Sequence, residues 1–264
     1  TYTGESDEPL SLHLYTYCEN DGVNMVDPSG HDSYVIYDKD AKAGKKGKMF
    51  SDEAKIVKRK LRNKYRKPCH VIGVKNAKQF QNVWKYLGRI INIRKKRFEK
   101  VRIQEVYLIF HGSIEGRVGN ATGYMYFVGN NKSKIMARKD GFYNSSKDIL
   151  VSNLARKRIR KITFSTCNTA NPDCYNVADA FIKRMKVREV DGFDGGALFD
   201  YSDSTLKKGN GEQHTWNKYV EKELTFKAGF PSMYVYEPTR ERMGLRKYRN
   251  GKWSSVTKLY PNSI

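Results

Sequence analysis

From Ser33 onward, apolar residues recur in two rhythms that take turns along the chain. Short continuous or alternating runs read as strands, and runs spaced three and four apart read as helices. Residues 33–37 (SYVIY) form the first predicted strand, and a Gly/Lys-rich loop, 42–48, follows. Ser51, Asp52 and Glu53 can cap a helix reaching about Tyr65, with Val57, Leu61 and Tyr65 on one face and Pro68 as its stop. Residues 70–74 are a second strand. Residues 77–93 have helical spacing through Phe80, Val83, Trp84, Leu87, Ile90 and Ile91. Residues 101–110 are a third strand, and 123–137 a hairpin turned at Gly129, Asn130 and Asn131. Residues 145–158 read as a helix and 161–165 as a fourth strand. Residues 177–185 are a helix with Val177, Ala178, Phe181, Ile182 and Met185 on one face. A Gly-rich strand spans 190–201. Residues 233–237 and 245–256 are β-rich, the second with a turn at Asn250-Gly251.

This alternation predicts an α/β fold: a mostly parallel, doubly wound sheet flanked by helices, with a β-rich C-terminal extension. Two strand ends then stand out. EVYLIFHG ends at His111-Gly112, and KITFSTCNT ends at Cys167. Ligands of parallel α/β sheets bind beyond the strand C-termini. A His and a Cys delivered there by separate strands can form a nucleophile–base pair, since the thiolate is the reactive species and a nearby imidazole raises its population. Attack on an amide creates an oxyanion that needs preorganised donors. The N–H groups of Gly112 and Cys167 are the natural ones. Small polar neighbours, Ser165, Thr166, Asn168 and Thr169, leave room for a peptide. Taken singly, a Cys or a His at a strand end is more often a core residue; together they point to chemistry.

Charge divides the chain. The net charge is +22, yet residues 1–30 hold six acids (Glu5, Asp7, Glu8, Glu19, Asp21, Asp27) and no Lys or Arg, so the remainder carries +28, six more than the whole. So sharp a change marks a boundary between two units, 1–31 and 32–264. The basic clusters are scattered and several fall on helical patterns, which reads mostly as solvated faces; a polyanion or an acidic partner remains open. No run approaches eighteen apolar residues, so no membrane span is expected. The opening, TYTGESDE, reads as a passage from inside a longer polypeptide. The four cysteines, Cys18, Cys69, Cys167 and Cys174, lack zinc-site spacing and do not make a disulfide scaffold, and no metal is expected. Cys69, at the start of CHVIGV, reads as core.

The acidic segment carries a resemblance. Leu14-Tyr15-Thr16-Tyr17, Asn20, Val23-Asn24, Val26 and Asp27-Pro28-Ser29-Gly30 match in order the end of the core of RHS/YD-repeat proteins, N-L-Y-x-Y-x-x-N-N-P-V-x-x-V-D-P-x-G, with Gly22 where proline is usual. The resemblance implies a β-cage that encloses a C-terminal toxin, released near Asp27, Pro28 and Gly30 by aspartate-based self-cleavage. It further implies delivery out of the producing cell, action in a target-cell cytoplasm, and a neutralising immunity protein, which would be acidic to match this surface. Taken alone, Asp27–Gly30 is also a good β-turn.

The basic unit resembles the caspase-like cysteine peptidases, including the CHAT type. The shared order is strand–His-Gly, hairpin, helix, strand–small-small-Cys, helix, and FSTCNTA followed by YNVADAFI is similar to the CHAT-type nucleophile string. The resemblance implies a cysteine endopeptidase acting on target-cell proteins, with His111 as general acid/base, Cys167 as nucleophile, and Gly112 and Cys167 as oxyanion donors. It also implies that the strand after the nucleophile shapes the specificity pocket, where Asp191, Asp194, Asp200 and Asp203 cluster; these carboxylates either receive a basic side chain or neutralise neighbouring Lys and Arg. No cofactor is required, although the clostridial-toxin relatives imply that an inositol polyphosphate can activate from a basic, β-rich C-terminal surface such as residues 227–258. The main alternative is a nuclease toxin acting on nucleic acid, in which QHTWNK would supply His214, though paired histidines for metal-assisted hydrolysis are missing. A non-enzymatic binding domain is the third reading.

Overall fold

A computed structural model describes residues 31–41, 49–92, 97–100, 102–116, 120–129, 132–199, 213–215 and 244–256. Asp27, Pro28, Gly30, Asp200, Asp203 and residues 233–237 therefore lie outside the described residues.

The first predicted strand is β1, Ser33–Asp38, and the capped helix is α1, Met49–Tyr65. Then come β2, Cys69–Val74, and α2, Ala77–Tyr86. Asn76 caps α2 by accepting the Gln79 N–H at 2.8 Å. The helix ends earlier than its spacing predicts. Gly88 takes φ 65°, and Arg89–Asn92 (β3) pairs antiparallel with Arg97–Lys100 (β4). The apolar residues at 90 and 91 thus belong to a ribbon, not a fourth helical turn. Next are β5, Ile103–Ile109, and β6, His111–Glu115, with β7, Thr122–Tyr126, and β8, Lys134–Met136.

The helix expected over 145–158 does not form. The chain there makes a turn, a two-residue strand β9, Ile149–Leu150, and one 3₁₀ turn, Val151–Asn153. Local side chains outcompete the helix. Asp148 accepts the backbone N–H groups of Lys134 at 2.8 Å and Asn144 at 2.9 Å, and Asn144 accepts that of Ser146 at 3.0 Å. β9 then runs parallel to β8. Beyond it lie β10, Ile159–Ser165, α3, Val177–Met185, and β11, Glu189–Asp194. The expected Gly-rich strand is cut at Gly195 (φ 91°). Ala197–Phe199 (β12) leaves the sheet to pair with Gln213–Thr215 (β13). Gly244–Arg249 (β14) and Lys252–Trp253 (β15) are the C-terminal hairpin, turned at Asn250 and Gly251, both with positive φ.

The main sheet has seven strands in the order β2-β1-β5-β10-β11-β14-β15. The first five run parallel, and β14 and β15 add antiparallel at one edge. Side chains alternate across it. Tyr34, Ile36, Val106, Leu108, Ile162, Phe164 and Val190 face α2 and α3, which present Phe80, Trp84, Val177 and Phe181. Val35 and Ile109 face α1, which presents Phe50, Ala54, Val57 and Leu61 at helical spacing. Helices therefore cover both faces, as a doubly wound α/β arrangement requires. A second sheet, β6-β7-β8-β9, joins the α2/α3 side through Met125 and Ile135.

One buried polar network crosses the α1 side. Glu105 of β5 accepts from Tyr65 Oη at 2.5 Å and Thr163 Oγ1 at 2.6 Å, and pairs with Lys64 at 3.3 Å. Lys161 bridges onward to Asp191 at 2.5 Å, which also holds Arg249 at 2.6 Å. The network ties β5, β10, β11 and β14 together across the middle of the sheet.

Candidate active site

His111 and Cys167 leave the sheet side by side. β5 and β10 are adjacent and parallel, and their last paired residues are Ile109 and Ser165. Two steps beyond on each chain stand His111 and Cys167. His111 lies on the α1 side, against Phe50, and Cys167 follows Ser165 by the same two steps. The intervening step is locked by Thr166, whose Oγ1 accepts the Phe110 N–H at 3.3 Å and donates to the Leu108 carbonyl at 3.5 Å.

The strand ends then diverge. His111 opens β6, which pairs with β7 in the second sheet. At Cys167 the chain turns instead. Asn168 takes φ 56°, a left-handed conformation that asparagine tolerates better than most residues. Its N–H donates to the Gly195 carbonyl at 2.7 Å. Thr169 Oγ1 donates to the Thr166 carbonyl at 3.1 Å and accepts the Phe193 N–H at 3.2 Å. The turn carrying Cys167 is thus fastened to β11 on one side and to β5 on the other.

Gly112 sits where these backbones meet. A Cβ on it would lie 2.1 Å from the Cys167 carbonyl oxygen and 2.6 Å from Thr166 Cγ2. The glycine is needed so that β6 can pass directly against the Cys167 peptide.

The His111 imidazole packs against two aromatic rings. Phe50, in the first turn of α1, is 4.9 Å away at a 43° tilt, and Tyr126, opposite it on β7, stacks at 5.3 Å and 21°. Burial lowers its pKa below 6.5, so the ring is neutral near pH 7 and ready to take a proton. Cys167 is partly exposed and not in a disulfide. Its thiol is close enough to the Tyr126 phenol that, after burial, its charge is the next cause raising the phenol's pKa. A neutral base, a partly exposed thiol and a cramped backbone between them are the parts a thiol nucleophile needs.

The other cysteines differ. Burial pushes both Cys69 and Cys174 up to about 12. Cys69 is core, as expected. Asp191 pairs with Lys161 at 2.5 Å and with Arg249 at 2.6 Å. These pairs match the alternative expectation for the cluster, that its carboxylates neutralise neighbouring Lys and Arg. Asp194 is different; it is buried at the C-terminal end of β11, close enough to raise the Cys174 pKa. His214 stands on β13 opposite Leu198. Among the described residues, no three His, Cys, Asp or Glu side chains converge to hold a metal ion, and no helix is long and apolar enough to cross a membrane.

Sequence reasoning missed Phe50 and Tyr126, and read Thr166 only as a small polar neighbour of Cys167. Phe50 sits just before the predicted cap, where it reads as part of the loop. Tyr126 is one aromatic among several in GYMYF, and only the pairing of β6 with β7 brings it onto His111. The chain matches no family model, no curated protein and no solved structure.

Proposed function

We propose that residues 32–264 form a caspase-like cysteine endopeptidase, the toxin of an RHS/YD-repeat protein. The observation that carries this reading is the emergence of His111 and Cys167 from adjacent parallel strands, joined at Gly112. The order strand–His-Gly, hairpin, strand–Cys, helix supports the caspase-like assignment; a turn and a 3₁₀ segment occupy the position of the helix in the family order.

In the mechanism, neutral His111 takes the proton from Cys167 Sγ as the sulfur attacks the scissile carbonyl carbon. Negative charge moves to the carbonyl oxygen, where the Gly112 and Cys167 N–H groups would receive it. Collapse breaks the C–N bond. The imidazolium returns its proton to the leaving amine, and a thioester remains on Cys167. His111 then deprotonates water, which hydrolyses the thioester, releases a carboxylic acid and restores the thiol. Asp194, Asp200 and Asp203 remain the candidates for receiving a basic side chain at the cleavage position.

The parent polypeptide would cage the domain, and cleavage at Asp27 would free it for delivery into a target-cell cytoplasm. An acidic immunity protein would neutralise it there, against a unit carrying +28. An inositol polyphosphate is a candidate activator on the basic C-terminal surface, and a thermal shift with inositol hexakisphosphate checks it.

The test is expression in a target-cell cytoplasm with mapping of new protein termini. Wild type should stop growth and create new termini, and Cys167→Ala and His111→Ala should do neither. A fully toxic Cys167→Ala ends the peptidase reading. Loss of activity with chelator but not with thiol alkylator would favour the nuclease instead.

A further inference from the structure

We propose that Tyr126 and Phe50 are positioning residues that clamp the His111 ring in one orientation beside Cys167. The inference rests on the Cys–His reading above and adds two side chains to it. The clamp is built from three separate elements. Phe50 comes from the first turn of α1, His111 from the start of β6, and Tyr126 from the partner position on β7. Ring centroids at 4.9 and 5.3 Å are ring-contact distances, and the 21° angle lays Tyr126 over one face of the imidazole, clear of its edges. Both nitrogens lie on those edges, so a ring held flat delivers its nitrogen lone pair in a fixed plane.

Both clamp residues are themselves fixed. Phe50 is buried in the α1 core with Val35 and Ile109. Tyr126 lies two residues before Val128, whose N–H donates to the buried Asp38 carboxylate at 3.0 Å. Asp38 also accepts the Asp40 N–H at 3.1 Å, so the end of β1 anchors the strand that carries the stacking ring.

Burial lowers the His111 pKa, and both rings pack against the imidazole. The titratable groups around it are the Tyr126 phenol, on β7, and the Cys167 thiol, after β10. Behind them stand Asp38, which raises the phenol's pKa, and Glu53, one turn along α1, whose charge reaches Tyr107. Removing a ring admits water to the imidazole and returns its pKa toward 6.5.

The experiment measures two things on the full chain. One is the rate of Cys167 alkylation by iodoacetamide against pH, read by peptide mass. The other is the His111 proton titration by NMR in a Cys167→Ala background. Tyr126→Leu should slow alkylation at pH 7 by roughly tenfold to a hundredfold and raise the His111 midpoint. Tyr126→Phe keeps the stack and should leave both as in wild type. If Tyr126→Leu does not fold, Phe50→Leu receives the same two measurements with the same expectation. An unchanged rate and midpoint in the leucine variant, or a Tyr126→Phe as slow as Tyr126→Leu, overturns the clamp. Neither readout uses peptide cleavage, so the clamp can fail while Cys167→Ala still abolishes toxicity, and it can stand if the substrate is not a protein.

Discussion

Gly112→Ala strikes the tightest point of the site. The added carbon would lie 2.1 Å from the Cys167 carbonyl oxygen and 2.6 Å from Thr166 Cγ2, whereas real Cβ contacts essentially never fall below 3.0 Å. Relief demands movement by the difference, about 0.9 Å, and the nearest atom is backbone, which cannot rotate aside. Overpacking of this kind costs ~1–3 kcal/mol. For a chain of this length each kcal/mol is worth roughly 2–4 °C in Tm, so a drop on the order of 5 °C is expected. The movement also separates His111 from Cys167, and a misplacement of about 1 Å costs on the order of a hundredfold in rate. Differential scanning calorimetry reads the first effect, and iodoacetamide alkylation of Cys167 with toxicity on expression reads the second. Gly141→Ala is the control, because nothing stands within 4 Å of its added carbon. A Gly112→Ala protein with wild-type Tm and wild-type alkylation rate would refute the close passage of β6 against Cys167.

Three other outcomes are expected. Peptide mapping after brief alkylation at pH 7.5 should show Cys167 modified while Cys69 and Cys174, held up to about 12 by burial, stay intact. Because folding lowers the His111 pKa, the unfolded chain binds more protons just below 6.5, and stability should fall as pH drops through 6.5 toward the lowered value, as acid titration of Tm will show. Asp191→Asn should cost ~1.5–3 kcal/mol by removing charged hydrogen bonds to Lys161 and Arg249, which keep longer contacts to Glu105 and Glu189, while leaving any preference for basic cleavage sites unchanged; a lost preference at unchanged Tm would place Asp191 in the specificity pocket.

The elements with a strong period are legible in the sequence. α3 forms over the expected residues because Val177, Ala178, Phe181 and Met185 make one stripe and Asn176 caps it, accepting the Asp179 N–H at 2.8 Å. β1, β2, β5 and β10 follow from continuous apolar runs that only a sheet covered on both faces can bury. Misreadings fall where local polar groups decide. Ile149, Leu150, Val151 and Leu154 have helical spacing, but Asp148 and Asn144 bind the backbone first and bend it. Residues 90 and 91 continue the stripe of α2 on paper, and the turn at Gly88 diverts them into a ribbon.

The chain by itself determined that a His and a Cys would each follow just beyond a buried strand, because apolar runs of that length give way to small polar residues at a sheet rim. It also determined that Cys69 would be core. Only the tertiary structure decided that the two strands are neighbours in register, that Gly112 is the point of contact, and that rings from α1 and β7 enclose the imidazole. The physical reason is range. A strand or helix is set by interactions a few residues apart, which a linear pattern records. The surroundings of His111 are set by strand order and sheet pairing, which bring together residues that no local period connects.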